Sequence, residues 1–172
     1  ESGKVKFNRE DLDVFINGVN PGYISRTSDE IIAGRYINDK DLAKGAHVCV
    51  IGEKQALKLY GGIKEALGQR LSVKFLGQSY DFTVIGVFET KMTAMMSAMN
   101  SMNTTAEDWS TDIYVPYRAL TKIYGRSEET FFAYYALVND GVDPTDFCER
   151  VRDYMNSRYY RDNDSIEIRY MT

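Results

Sequence analysis

The tightest constraint on this chain sits at residues 70–87. Arg70-Leu71-Ser72-Val73-Lys74-Phe75 alternates polar and apolar side chains, the period of a strand with one buried face. After a turn at Gly77-Gln78, Tyr80-Asp81-Phe82-Thr83-Val84-Ile85-Gly86-Val87 resumes as a second strand. Two such runs around a short glycine turn predict an antiparallel hairpin. A hairpin alone is marginal in water, so the rest of the chain must supply strands and helices that cover its apolar face.

The surrounding sequence offers those elements. Val5-Lys6-Phe7 and Val14-Phe15-Ile16 read as extended, and Gly18-Val19-Asn20-Pro21-Gly22 as a turn. His47-Val48-Cys49-Val50-Ile51-Gly52 is a short β-rich run stopped by glycine, the mark of a buried strand. Residues 53–60 predict a helix ended by Gly61-Gly62, and Asn38-Asp39-Lys40-Asp41 a polar loop. Asp112-Ile113-Tyr114-Val115 predicts a strand, after which Pro116 opens a helix that Gly125 stops. Residues 131–138 are continuously apolar and predict a central strand. Asp143-Pro144 is an N-cap with proline at the first helical position. Phe147, Cys148, Val151, Tyr154 and Met155 then form one apolar stripe. With alternating residues 166–170, the span 131–171 reads as a β-α-β unit, and the class as α+β.

Composition narrows the function by exclusion. With 44% hydrophobic and 27% charged residues, 172 residues bury a core without disulfide staples. Twenty-one Lys and Arg against 25 Asp and Glu give a net charge of −4, which argues against nucleic acid as a partner. No apolar run approaches the length that spans a bilayer, and Glu1-Ser2-Gly3-Lys4 has no apolar leader, so no signal peptide is expected. Cys49 and Cys148 lack C-x-x-C spacing and are expected as small core hydrophobes with no structural disulfide.

Motifs that carry chemistry are missing. No G-x-x-x-x-G-K-[ST] run exists to cradle phosphates. His47 is the only histidine, so no multi-histidine metal site can form. His47 and Cys49 lie two residues apart and would share a strand face, which leaves a Cys-His pair to be tested against a bland core role. Gly77-Gln78-Ser79-Tyr80-Asp81 is no nucleophile elbow, and Asp162-Asn163-Asp164 is a turn without the other ligands of a calcium loop. Neither catalytic residue nor cofactor is expected. The one oddity is residues 91–110, a long loop or isolated helix that holds Met92, Met95, Met96, Met99 and Met102. On a helix they would share a face, suited to packing, to an adaptable partner contact, or to thioether binding of Cu(I).

The order of these segments resembles the MacB-like periplasmic core domain of ABC transporter permeases of the MacB, FtsX and Lol type. The matching stations are Gly18-Val19-Asn20-Pro21-x-Tyr23, Gly34-Arg35-Tyr36-Ile37-Asn38-x-x-Asp41 and Val48-Cys49-Val50-Ile51-Gly52. They continue through Ala56-x-x-x-Tyr60-Gly61, Gly68-Gln69-x-Leu71, Phe82-Thr83-Val84-Ile85-Gly86-Val87 and Asp112-Ile113-Tyr114-Val115-Pro116. Read physically, Gly34, Gly52, Gly68 and Gly86 fall where elements end, at positions suited to φ > 0 or close backbone approach.

The resemblance implies two lobes. A membrane-proximal, porter-like lobe would combine residues 1–22 with 126–172, and a β-rich, sabre-like distal lobe would occupy 23–125 with the Met-rich loop. It implies an extracytoplasmic, non-enzymatic domain that transmits ATP-driven movement across the membrane for export of peptide or lipoprotein cargo. Its partners would be its own transmembrane helices, a second permease copy and a cytoplasmic ABC ATPase, with a periplasmic adaptor, lipoprotein or peptide cargo beyond them. The alternative is an extracytoplasmic ligand- or partner-sensing module, including FtsX-like control of a cell-wall hydrolase.

Overall fold

The computed structural model describes residues 2–7, 9–91, 112–125 and 141–160, with strands and helices mixed as expected. The chain divides into two compact units, Glu1–Glu129 and Thr130–Thr172. The strands of the first are β1 (Ser2–Phe7), β2 (Glu10–Val19), β3 (Asp29–Gly34), β4 (Val48–Gly52), β5 (Arg70–Phe75), β6 (Gln78–Thr90) and β7 (Asp112–Pro116). Its helices are α1 (Asp39–Lys44), α2 (Glu53–Tyr60) and α3 (Tyr117–Ile123), with a 3-10 turn at Pro21–Arg26. The strands form one sheet in the order β3-β6-β4-β7-β2-β1-β5, and β5 also pairs with β6. That extra pairing closes β1, β2, β7, β4, β6 and β5 into a barrel, with β3 added on the far side of β6. β6 can serve three partners because it is 13 residues long: its first part pairs with β5, its middle with β4 and its end with β3.

Alternation decides what goes inside. Val14 and Ile16 of β2, Leu71 and Val73 of β5, Phe82 and Val84 of β6, and Ile113 and Val115 of β7 join one buried cluster. Each fully buried aliphatic of this kind contributes about 1.5–3 kcal/mol. Strands β4 and β7 are buried on both faces, which explains their near-continuous apolar runs. Cys49 and Ile51 point into the first cluster, whereas Val50 joins Val19, Ile37, Phe88 and Tyr114 in a second one.

Three local expectations are corrected. Residues 39–44 form α1 rather than a polar loop: the Asn38 side chain accepts the Lys40 and Asp41 backbone N–H groups at 3.0 Å each. The Asp41 carboxylate in turn accepts the Asn38 backbone N–H at 3.0 Å, completing a capping box. The hairpin turn is Leu76-Gly77, one residue earlier than expected, with φ of 51° and 77°. Two-residue hairpin turns of this hand need positive φ at both positions, where leucine is strained by its Cβ. Leu76→Asn should therefore raise stability by about 0.5–1 kcal/mol, seen as a higher midpoint in urea at unchanged m-value. Finally, Pro116 ends β7 and stands outside the first helical position, so Tyr117 opens α3.

Within the first unit, β1 is bonded to β2 and β5, and β2 to β1 and β7. In the second unit, α4 (Pro144–Met155) starts as expected, the Asp143 carboxylate accepting Thr145 and Asp146 N–H at 2.7 and 3.3 Å. Phe147, Cys148, Val151 and Met155 are half-buried and Tyr154 is exposed. The strands expected at 131–138 and 166–170 lie outside the described residues.

Candidate functional site

The stations Gly34, Arg35 and Gly86 meet at one crossing. Gly34 pairs with Gly86 at the β3–β6 junction, and Arg35 N–H donates to the Ile85 carbonyl at 3.0 Å. Gly34 has φ of +70°, and a Cβ there would stand well under 3.0 Å from the Ile85 oxygen. A Cβ on Gly86 would strike the Arg35 carbonyl oxygen just as closely. Both glycines are thus demanded by close backbone approach. Gly18 plays a looser version of this role, because a Cβ would come 2.9 Å from Leu120 and 3.1 Å from the Tyr117 Cα, where α3 rests on β2. Gly68 adopts φ of +79° and donates its N–H to Val84. Gly52 lies at φ of −72° as the N-cap of α2, and its N–H is held by the Gln55 side chain at 2.9 Å. Pro21 opens the 3-10 turn.

Arg35 also reaches forward. Its guanidinium grips both oxygens of Asp41, at 2.5 and 3.1 Å, and donates to the Tyr36 carbonyl. The Arg35 hydrogen bond, with help from the Asn38 N–H, holds the Asp41 carboxyl below the usual carboxylate range despite its burial. Asp41 raises Arg35 in return. A second clasp ties β3 to the barrel. The Asp29 carboxylate accepts the Tyr114 hydroxyl at 2.7 Å and the Thr90 hydroxyl at 2.6 Å. Tyr23, Tyr36 and Phe88 pack around the Tyr114 ring with centroids 5.7, 6.2 and 5.0 Å away. Burial first, and then Asp29, pushes the Tyr114 hydroxyl well above its ordinary range. The Asn38-x-x-Asp41 spacing could have revealed the first clasp. Asp29 and Tyr114 are 85 positions apart, so no local pattern could have revealed the second.

These parts fasten a cover onto the barrel without assembling a reactive centre. Cys49 is fully buried, and burial pushes its thiol far up, away from the reactive thiolate. His47 lies outside on the strand end, stacked on Phe82 at 5.5 Å. The two do not form a nucleophile and base. Burial, with Cys49 as a smaller influence, also pushes the nearby Tyr60 hydroxyl up to about 12. Under native conditions Cys49 should resist iodoacetamide while the half-buried Cys148 is modified first, as read by peptide mass spectrometry; equal rates would contradict the burial. Among the described residues, no three His, Cys, Asp or Glu side chains converge as a metal site. Met92, Met95, Met96, Met99 and Met102 lie outside the described residues.

Comparison with known proteins gives a consistent neighbourhood. A family described as the MacB-like periplasmic core domain matches residues 2–154. An uncharacterized ABC transporter permease, YknZ of Bacillus subtilis, is 30% identical over 128 residues, which are 74% of this chain and 28% of that protein. The pyoverdine export ATP-binding/permease protein PvdT of Pseudomonas entomophila is 26% identical over 133 residues, 77% of this chain and 18% of that protein. The chain therefore spans less than a third of the length of either relative. Among solved structures, the extracellular domain of YknZ from Gram-positive bacteria matches with a TM-score of 0.51 at 26% identity, over 73% of this chain and 55% of that one. The periplasmic region of MacB from Actinobacillus actinomycetemcomitans shares the fold, with a TM-score of 0.59 at 17% identity over 91% of this chain and 63% of that one.

Proposed function

Since this chain belongs to the MacB-like periplasmic core domain family, on the extracytoplasmic side of the membrane, we propose that it is part of an ABC transporter permease and transmits movement driven by a cytoplasmic ATPase, with no chemistry of its own. The observation that supports this reading is the closure of the barrel: the β5–β6 pairing joins the two ends of the strand order β6-β4-β7-β2-β1-β5. A closed barrel has no free edge to splay and moves as one rigid body, as a transmitting lobe must. The two-lobe arrangement, a porter-like lobe of residues 1–22 with 126–172 and a sabre-like lobe of residues 23–125, belongs to this proposal. Export of peptide or lipoprotein cargo, through a second permease copy and a periplasmic adaptor, completes the reading.

The test is a spin label on exposed Lys64, as Lys64→Cys, in the full-length permease with its ATPase. Distances between labels on two copies should shift by about 5 Å or more on nucleotide binding, the scale of switching transitions. A distribution indifferent to nucleotide would remove mechanical transmission and favour a static sensing module.

A further inference from the structure

We propose that residues 20–31 form a strap over the second apolar cluster, latched at Asp29 and hinged at a bulge in β3, and that it opens while the barrel beneath stays closed. The segment is lightly held. From Asn20 to Tyr36 no residue is buried, whereas Val19 and Ile37 on either side are. The 3-10 turn within it has no buried residue and no side-chain cap. Segments with so few buried apolar contacts open locally, at a fraction of the free energy of global unfolding.

The two halves of β3 are fixed to β6 by different means. In the second half Gly34 lies against Gly86 and the Arg35 N–H donates to the Ile85 carbonyl, backbone packed on backbone. Before it the register slips between Ile31 and Ala33, a bulge at which the strand bends. In the first half the ties added to the ladder are side chains: Asp29 holds the Thr90 and Tyr114 hydroxyls, and exposed Glu30 pairs with exposed Lys91. Backbone bonding ends there at the Lys91 N–H, which donates to the Ser28 carbonyl at 2.9 Å.

The underside of the strap is aromatic. Tyr23 packs on Tyr114, and Ile31 stands opposite Phe88. The Tyr36 hydroxyl beside them is shut off from solvent with no hydrogen-bond partner among the described residues. Burial first, and then Tyr23 and Asp29 of the strap, push this hydroxyl above its ordinary range. A buried, unpaired hydroxyl is costly, and water reaches it when the strap lifts. Closure therefore gains apolar burial and the Asp29 latch but strands Tyr36, the balance of a two-state element. Opening bares the Tyr114 and Phe88 rings and leaves the β5–β6 closure untouched.

The test replaces the latch by a bond that can be made and broken. Ser28 and Lys91 are a hydrogen-bonded pair, so Asp29 and Thr90, next in the register, are a non-hydrogen-bonded pair with Cα atoms about 4.5 Å apart, within disulfide range. The chain carrying Asp29→Cys, Thr90→Cys and Cys148→Ala is compared oxidised and reduced. The readouts are amide hydrogen exchange by NMR and binding of anilinonaphthalene sulfonate, a dye that reports exposed apolar surface. On reduction the Lys91 amide should exchange about tenfold faster or more and dye fluorescence should rise, while the amides of Arg35 and of β5 keep one rate. With the native latch in place, Tyr36→Phe should slow the Lys91 amide by about threefold or more. The strap is overturned if the Lys91 and Arg35 amides respond together, if reduction changes neither exchange nor dye, or if Tyr36→Phe leaves Lys91 unmoved. Faster Lys91 exchange without dye binding would mean a fraying strand end, and would overturn it equally.

Discussion

Gly86→Ala is expected to destabilise the first unit by about 3 kcal/mol or more, the upper range for overpacking against atoms that cannot yield. The added methyl would collide with the Arg35 carbonyl oxygen and stand 3.0 Å from its carbon, both backbone atoms. Arg35 cannot retreat, because its N–H is bonded to Ile85 and its guanidinium to Asp41. At this chain length 3 kcal/mol lowers the melting temperature by about 6–12 °C. Gly34→Ala should do similar damage, combining φ of +70° with contacts to the Ile85 oxygen and to Leu67 at 2.8 Å. Gly61→Ala separates the two causes: Gly61 has φ of +78° but nothing within 4 Å of a Cβ, so only the backbone cost of about 1 kcal/mol remains. Thermal unfolding of the three variants would decide it. A Gly86→Ala protein melting within a degree or two of the parent would mean the β3–β6 crossing is looser than its geometry implies.

The sequence made β6 legible, but neither β3 nor its crossing with β6. Alternation along 70–75 and 80–87 announced β5 and β6, and the glycine-stopped run at 47–52 announced β4. Those signals are local, set by which residue of a strand faces inward. Closure of the barrel depends on β6 pairing with both β5 and β4, and the addition of β3 on its end, which is a matter of register among segments far apart in the chain. Gly34 and Gly86 are two of four glycines that fall where elements end, and nothing local in the sequence ties one to the other. The same limit hid Asp29, whose carboxylate binds residues brought in from β6 and β7. At 38–41 the failure was different. Asn-x-x-Asp is a helix-start signature, and four polar residues in a row masked it as a loop.

Replacing Asp41 tests the other clasp, and acid tests it a second way. Asp41 is 8% exposed and its carboxylate holds the Arg35 fork and the Asn38 N–H, so Asp41→Ala leaves a guanidinium and a cap donor without their acceptor. The expected loss is about 2–3 kcal/mol, roughly one from the cap and the remainder from the charge-assisted pair, discounted because Arg35 is half exposed. Asn38→Ala should cost about 1 kcal/mol alone and much less once Asp41 is gone, because both serve one capping box. The pH dependence follows from the lowered carboxyl. A group that ionises more readily when folded contributes fully above the unfolded carboxylate value of about 3.9 and loses that contribution as pH falls through its lower folded value. The stability gap between the parent and Asp41→Asn should therefore stay constant through neutral pH and close below about pH 4. Arg35, raised from an already high value, stays charged across that window and adds no slope of its own. Urea midpoints for both proteins from pH 7 down to pH 3 would show this; a gap that persists unchanged at pH 3 would assign the clasp to packing and leave the ion pair little part in it.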